Sequence, residues 1–161
     1  MTLPFDKIDK AMPQFRLHHV GYLVRDLSAA QEFVDRLGYR IESDVIEDPV
    51  QTAFVQLIRQ PDTACWLELV MPNGSESKLA KALSKGGGLH HLCYEVNDIV
   101  RACDHLRGQA MLTLSNPVAA AAFPGRQIAW LMDRGALLIE LLESGDGYLT
   151  LASIMKKNGV A

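Results

Sequence analysis

The feature that most limits how this chain can fold is that it repeats itself. The segment Leu17-His18-His19-Val20-Gly21-Tyr22-Leu23-Val24-Arg25-Asp26-Leu27 returns 72 residues later as Leu89-His90-His91-Leu92-Cys93-Tyr94-Glu95-Val96-Asn97-Asp98-Ile99, keeping the pattern L-H-H-φ-x-Y-x-V-x-D-φ, where φ is aliphatic. The same offset carries Leu67-Glu68-Leu69 onto Ile139-Glu140-Leu141. One offset shared by both ends of a unit points to two copies of one supersecondary module, each covering apolar surface that the other exposes.

Each copy reads as strand, helix, then three strands. In the first, alternation from His19 to Val24 predicts a strand. Asp26 or Ser28 then caps a helix whose apolar stripe is Leu27, Ala30, Val34 and Leu37, and Gly38 ends it. The second copy repeats this with Ile99, Ala102, Cys103 and Leu106, closing near Gly108. Strand-like stretches follow each helix, at 39–45, 52–59 and 65–70 and again at 111–114, 127–132 and 136–142. The expected class is α+β, with the order βαβββ written twice.

Pro72-Asn73-Gly74 is a turn signal, 75–85 suits a linking helix with Leu79 and Leu83 on one face, and Gly86-Gly87-Gly88 is a joint. The expected organisation is therefore a single domain over 15–144. Module one is 15–72, the linker 73–88 and module two 89–144, with 1–14 and 145–161 as terminal extensions, and a short terminal helix is expected at 148–155. At 161 residues with 48 % hydrophobic content the chain can close one core. Its net charge of −3 comes from mixed acids and bases, which offers no basic face for nucleic acid. No apolar run approaches a membrane span of about 20 residues. Three cysteines without a C-x-x-C pair indicate neither a disulfide framework nor a thiolate zinc site, and with the acidic, proline-containing N-terminus they lead to the expectation of a cytoplasmic protein.

Strand alternation then separates the two faces of each sheet. If Val20, Tyr22 and Val24 face the helix, His19, Gly21 and Leu23 face the other way, and the repeat imposes the same split on His91, Cys93 and Glu95. Leu67 and Leu69, like Ile139 and Leu141, would cover the helices, which turns Glu68 and Glu140 toward the histidines. A carboxylate flanked by two apolar neighbours needs a partner. Two imidazoles and two carboxylates make a mixed nitrogen and oxygen set suited to one divalent ion such as Mn, Fe, Co, Ni or Zn rather than calcium. On this register His18 and His90 point to the helix side or to solvent.

At these residues the chain resembles the vicinal oxygen chelate superfamily, which includes glyoxalase I, methylmalonyl-CoA epimerase, extradiol dioxygenases and antibiotic-resistance proteins. The resemblance runs from about Phe15 to Glu143. Within it H-H-V-G-Y-L-V-R-D-L, L-E-L-V-M-P, the stretch from S-K-L-A-K-A-L-S-K-G-G-G-L-H-H-L-C-Y-E-V-N-D-I, G-R-Q-I-A-W-L and L-I-E-L-L-E are similar to the epimerase branch. It implies two βαβββ modules forming a cupped mixed sheet around one metal, in a homodimer, with His19, Glu68, His91 and Glu140 as ligands. It also implies proton abstraction next to a carbonyl of a small-molecule substrate, such as an acyl-CoA thioester, with Glu140 as a proton carrier. Where epimerases have a Q-G-V-like stretch before the strand that bears a second base, this chain has Glu47-Asp48-Pro49-Val50-Gln51-Thr52. Gln51 and Thr52 cannot serve as a carboxylate base; Asp48 can, or it is a turn residue before Pro49. Arg126, after Phe123-Pro124-Gly125, reads as a contact for a substrate carboxylate or phosphate or as a solvated loop residue, and Trp66, like Trp130, as cavity wall or core. A glyoxalase-type lyase acting on a thiol adduct, an antibiotic-type binding protein and an extradiol dioxygenase are the rival readings.

Overall fold

A computed structural model of the chain describes residues 12–145. The first module runs β1 (Arg16–Leu23), α1 (Ala29–Leu37), β2 (Arg40–Ile41), β3 (Ile46–Asp48), β4 (Ala53–Arg59) and β5 (Trp66–Pro72). A short helix α2 (Ala80–Ser84) leads to β6 (Gly88–Val96), α3 (Ile99–Gly108), β7 (Leu112–Thr113), β8 (Val118–Ala119), β9 (Gln127–Met132) and β10 (Leu138–Glu143). The fold is α+β with one mixed sheet in the order β2-β4-β5-β1-β6-β10-β9-β7, with β3 and β8 added beside β4 and β9. The first strand of each module pairs in parallel with the last strand of the same module, and β1 pairs with β6 antiparallel. That single antiparallel pair is the seam between the two halves.

The helices lie on one face, as the apolar pattern requires. Leu27, Ala30 and Phe33 of the first module pack with Leu67, Leu69 and Ile58. The stripe is rotated from the one predicted: Phe33 faces the sheet, whereas Leu37 is exposed. In the second module the predicted Ile99, Ala102, Cys103 and Leu106 all join Ile139 and Leu141. Asp98 caps α3 by accepting from the Arg101 N–H at 2.9 Å, and Gly38 ends α1 in the left-handed conformation at φ 70°.

Three local expectations are corrected. The strands expected at 39–45 and 111–114 shorten to β2 and β7, and a further fragment that was not expected, β3 or β8, follows each, so each module carries an extra edge fragment. Of the linking helix expected over 75–85 only Ala80–Ser84 is helical; Ser77 instead closes a turn against Thr52, its hydroxyl donating to the Thr52 carbonyl at 2.6 Å. The helix expected at 148–155 lies outside the described residues.

The third correction matters most for function. Between Leu17 and His19 the first strand advances two residues while β6 advances one, and between Gly21 and Tyr22 the reverse holds. His18 and His90 are therefore the extra residues of two β-bulges, one in each module, at matching places in the repeat. A bulge suspends alternation, so each lies beside the histidine that follows it rather than on the helix side: His18 packs against His19, Trp66 and Phe123, and His90 against His91 and Trp130.

Candidate metal centre

On the face away from the helices, His19 and His91 come from facing strands across the seam, and Glu68 and Glu140 from the strands flanking them. The Nε2 atoms of His19 and His91 are 3.1 Å apart. Glu140 Oε2 lies 3.0 Å from the first and 3.3 Å from the second, and Glu68 Oε2 lies 3.7 and 3.5 Å from them. All four side chains are buried, and their ligand atoms lie within 4.8 Å of one another. Donors about 2.1 Å from a common ion at right angles stand about 3.0 Å apart, which is the spacing of the tighter pairs here.

The electrostatics fit a shared centre. Burial penalises the charge on Glu140, but the close approach of the His19 and His91 imidazoles and their charge outweigh it and hold the carboxyl far below its ordinary range. Burial pushes Glu68 up, opposed by His19 and reinforced by Glu140. His19 is raised: burial opposes its protonation, and the two carboxylates overcome it. Although two imidazole nitrogens lie within 3.3 Å of it, Glu140 Oε2 is not in hydrogen-bonding geometry with any described group. The two Nε2 atoms stand 3.1 Å apart and both lie within 3.3 Å of Glu140 Oε2, so imidazole nitrogens and carboxylate oxygens crowd one small space, which is how a ligand set for a cation is arranged.

One glycine makes the convergence possible. Gly21 pairs with His91 across the seam, and a Cβ at Gly21 would stand 2.0 Å from His91 Cε1. The corresponding position in the other module is Cys93, fully buried beside His18 and His19. Burial, with Glu140 and Glu68 nearby, pushes that thiol well above its ordinary range, so it is a poor source of a thiolate ligand.

Glu68, His91 and Glu140 of this cluster line a cavity of about 360 Å³, in the size range of small-molecule sites. Asp48, Gln51 and Lys78 line one wall, and Ala120, Ala121, Ala122 and Phe123 line another. Asp48 is the turn residue and a cavity residue at once: its Oδ1 accepts from the Val50 and Gln51 N–H groups at 2.9 Å each, while its charge acts on Glu68. Ser77 and Lys78 brace this turn, Lys78 Nζ donating to the Val50 carbonyl at 2.8 Å.

Arg126 and Trp66 are not among the residues that line this cavity. Arg126 is drawn to Glu95, its Nη2 donating at 2.8 Å, and it also bonds the Glu143 carbonyl. Glu95 is shared with Arg16, making a buried acid held between two guanidiniums. Trp66 lies under the Arg59 guanidinium at 4.8 Å. Trp130, left open between core and wall in the sequence, does line the cavity. Lys78 and Ser115 were missed: Lys78 stands in the stretch expected to be a linking helix but outside α2, Ser115 stands outside any strand, and only their place in the cavity lining marks them.

Two βαβ-based modules meeting at a seam, with a histidine and a carboxylate contributed from each side, define a protein of the vicinal oxygen chelate class. The chain belongs to the glyoxalase/bleomycin resistance protein/dioxygenase superfamily, whose family model matches residues 18–130. Within that superfamily it is similar to the ethylmalonyl-CoA/methylmalonyl-CoA epimerase of Cereibacter sphaeroides, 34% identical over 131 residues that span 78% of this chain and 96% of the relative. The human mitochondrial methylmalonyl-CoA epimerase is 32% identical, over 78% of this chain and 72% of its own. Among solved structures, the methylmalonyl-CoA epimerase from Mycobacterium tuberculosis superposes with a TM-score of 0.73 at 30% identity, covering 81% of this chain and 88% of that one.

The cytoplasmic placement expected from the sequence is overturned by the mammalian relatives, which are mitochondrial. Cys65, Cys93 and Cys103 are free thiols, and that property does not single out one compartment. No helix among the described residues is long and apolar enough to cross a membrane.

Proposed function

We propose that the chain is a divalent-metal-dependent epimerase that removes and returns the proton on the carbon next to an acyl-CoA thioester carbonyl. The observation that carries this reading is the gathering of His19, Glu68, His91 and Glu140 within 4.8 Å of one another, three of them lining a cavity that also bears a further carboxylate, Asp48. The similarity to ethylmalonyl-CoA and methylmalonyl-CoA epimerases supports the substrate class. The four side chains would hold one ion, Mn, Fe, Co, Ni or Zn, and the mixed nitrogen and oxygen donor set suits these over calcium. Such an ion supplies Lewis-acid stabilisation of negative charge on a carbonyl oxygen.

The chain's own groups do the rest. The apolar wall of alanines and Phe123 excludes water from the reacting carbon. Asp48, with Oδ1 anchored by two backbone N–H groups, is oriented to take the proton from one side, the C–H electron pair moving toward the thioester carbonyl oxygen. Glu140 is assigned the return of a proton from the other side, which inverts the centre. Arg126 and Trp66, engaged away from the cavity, give way to Lys78, Ser115 and Trp130 as groups placed to contact substrate. A homodimer belongs to the same proposal, supported by the exposed Leu17, Tyr22 and Leu89 on the two seam strands; sedimentation at the mass of two chains checks it.

The deciding experiment is deuterium exchange at the carbon next to the thioester of methylmalonyl-CoA and ethylmalonyl-CoA, with metal-loaded protein in deuterated water. Exchange with inversion is expected, and Asp48→Asn should suppress inversion more than exchange. Exchange no faster than in a metal-free control would end this reading and direct attention to thiol adducts of the glyoxalase type.

A further inference from the structure

Both ligand histidines are preceded by a histidine, and both preceding histidines touch them through the same atoms. His18 Nδ1 lies 2.9 Å from His19 Nδ1, and His90 Nδ1 lies 2.8 Å from His91 Nδ1. The rings of each pair cross nearly at right angles, 76° and 84°, with centroids 5.2 and 5.1 Å apart. Adjacent residues of a regular strand point to opposite faces and could not meet in this way. They meet here because each preceding histidine is the extra residue of a bulge. The arrangement occurs twice, at matching positions of the repeat, on two strands whose neighbours differ.

We propose that His18 and His90 are positioning residues, each accepting a hydrogen bond from the Nδ1–H of the histidine that follows it and so fixing His19 and His91 in the tautomer and ring orientation that aim Nε2 at the metal centre. The direction of each bond follows from the other end of the ligand ring. The Nε2 atoms of His19 and His91 face each other at 3.1 Å and face Glu140 at 3.0 and 3.3 Å. For Nε2 to offer a lone pair to an ion it must carry no proton, and a neutral imidazole has one proton to place. That proton is then on Nδ1, which makes it the donor, and the Nδ1 of His18 or His90 must accept. Ligand histidines ordinarily give this second bond to a carboxylate or a backbone carbonyl. An imidazole in that place supplies a neutral acceptor, so it orients the ligand without adding negative charge to a centre that already has two carboxylates. Each acceptor ring is itself fixed: His18 stacks on Trp66 at 4° and meets Phe123 edge-on, and His90 packs against Trp130.

The inference rests on the assignment of His19 and His91 as ligands under the proposed function, and two measurements keep the two ideas apart. The first needs no metal. With ¹⁵N-labelled imidazoles, a scalar coupling across the hydrogen bond between the Nδ1 nuclei of His18 and His19, and of His90 and His91, is expected in metal-free and in zinc-loaded protein. Absence of both couplings would overturn the proposal whatever the protein binds. The second is affinity for Mn(II) or Co(II) by titration. His18→Phe and His90→Phe keep a ring of similar shape and lose the acceptor, and each should weaken binding by about 10- to 100-fold. His18→Asn and His90→Asn, whose Oδ1 stands near the place of Nδ1, should recover most of it. Wild-type affinity in both Phe variants, or equal losses in the Phe and Asn variants, would refute the positioning role, the latter by showing that ring packing alone matters. If a Phe variant fails to fold, the couplings in the wild-type chain still decide. Wild-type protein that binds neither ion while showing both couplings would sink the metal reading and the aiming role with it, leaving only the paired rings.

Discussion

Gly21→Ala tests the geometry of the centre through one added methyl group. Its carbon would stand 2.0 Å from His91 Cε1, 2.2 Å from Nδ1 and 2.6 Å from Nε2, whereas non-bonded carbons rest about 3.5 to 4.0 Å apart. The ring must therefore retreat by roughly 1.5 Å, against a tolerance in metal–ligand distance of about 0.2 Å. It has little room to do so, since His91 is 2% exposed and Trp130 closes on it edge-on at 4.8 Å between centroids. Overpacking of this kind costs about 1–3 kcal/mol, a fall in Tm of roughly 2–10 °C for a domain of this size. Affinity for Mn(II) or Co(II) should drop by at least about 100-fold, the upper end of what losing an outer hydrogen-bond partner costs. Thermal melts in chelator and metal titration give the two numbers separately. The melts should also be run in a His91→Ala background, where the stability cost of the added methyl is expected to vanish because the ring it strikes is gone. An alanine variant with wild-type affinity and melting temperature, or a cost that persists undiminished without the His91 ring, would refute the claim that Gly21 makes room for this ligand.

Two further outcomes follow from the same geometry. Glu68→Ala and His91→Ala should each lose the ion, by elemental analysis, while circular dichroism shows a folded chain; full retention in both would mean that the ligands lie elsewhere. His18 and His90 have their pKa lowered to about 4, chiefly by burial and then by the adjacent histidine. The unfolded chain thus takes up protons below about pH 6.5 that the native state refuses until about pH 4, so these groups stabilise the metal-free protein above that window and the stability is lost as pH falls through it, by up to about 3 kcal/mol each. His19, raised by its carboxylates, works in the opposite sense; His90→Asn should therefore flatten the acid limb of stability against pH in urea titrations, and an unchanged slope would contradict the buried, neutral state of His90.

The offset of 72 made much of this legible in advance. It predicted two strand-helix-strand modules, the faces of the leucines around Glu68 and Glu140, and the gathering of His19, Glu68, His91 and Glu140 on one side, because alternation and repetition are properties of the chain itself. Bulges are not. Nothing in L-H-H-V reveals that β1 and β6 slip by one residue against each other at two points, so His18 and His90 were expected on the wrong face. The space over Gly21 is likewise a property of the pairing, invisible until His91 is known to lie opposite. The engagement of Arg126 was hidden for a related reason: Glu95, 31 residues away in sequence, takes its guanidinium. The helix stripe was misphased because Phe33 and Val34 are both apolar, and the sheet selects the larger ring.

The seam between β1 and β6 is also a mechanical feature. It is the line along which the two half-sheets could slide, and its ladder is interrupted twice, at His18 and at His90. Each half contributes one imidazole and one carboxylate to the same point across that line. An ion gripped by all four would be a rivet driven through the joint, adding resistance to shear where the backbone hydrogen bonding is most irregular. At a free ion concentration 1,000 times Kd the gain would be about 4 kcal/mol, drawn from the attachment of one half to the other rather than from within either. Slower amide exchange on loading would accordingly be concentrated in those two strands, and the metal content of a preparation would set how firmly its two halves hold together.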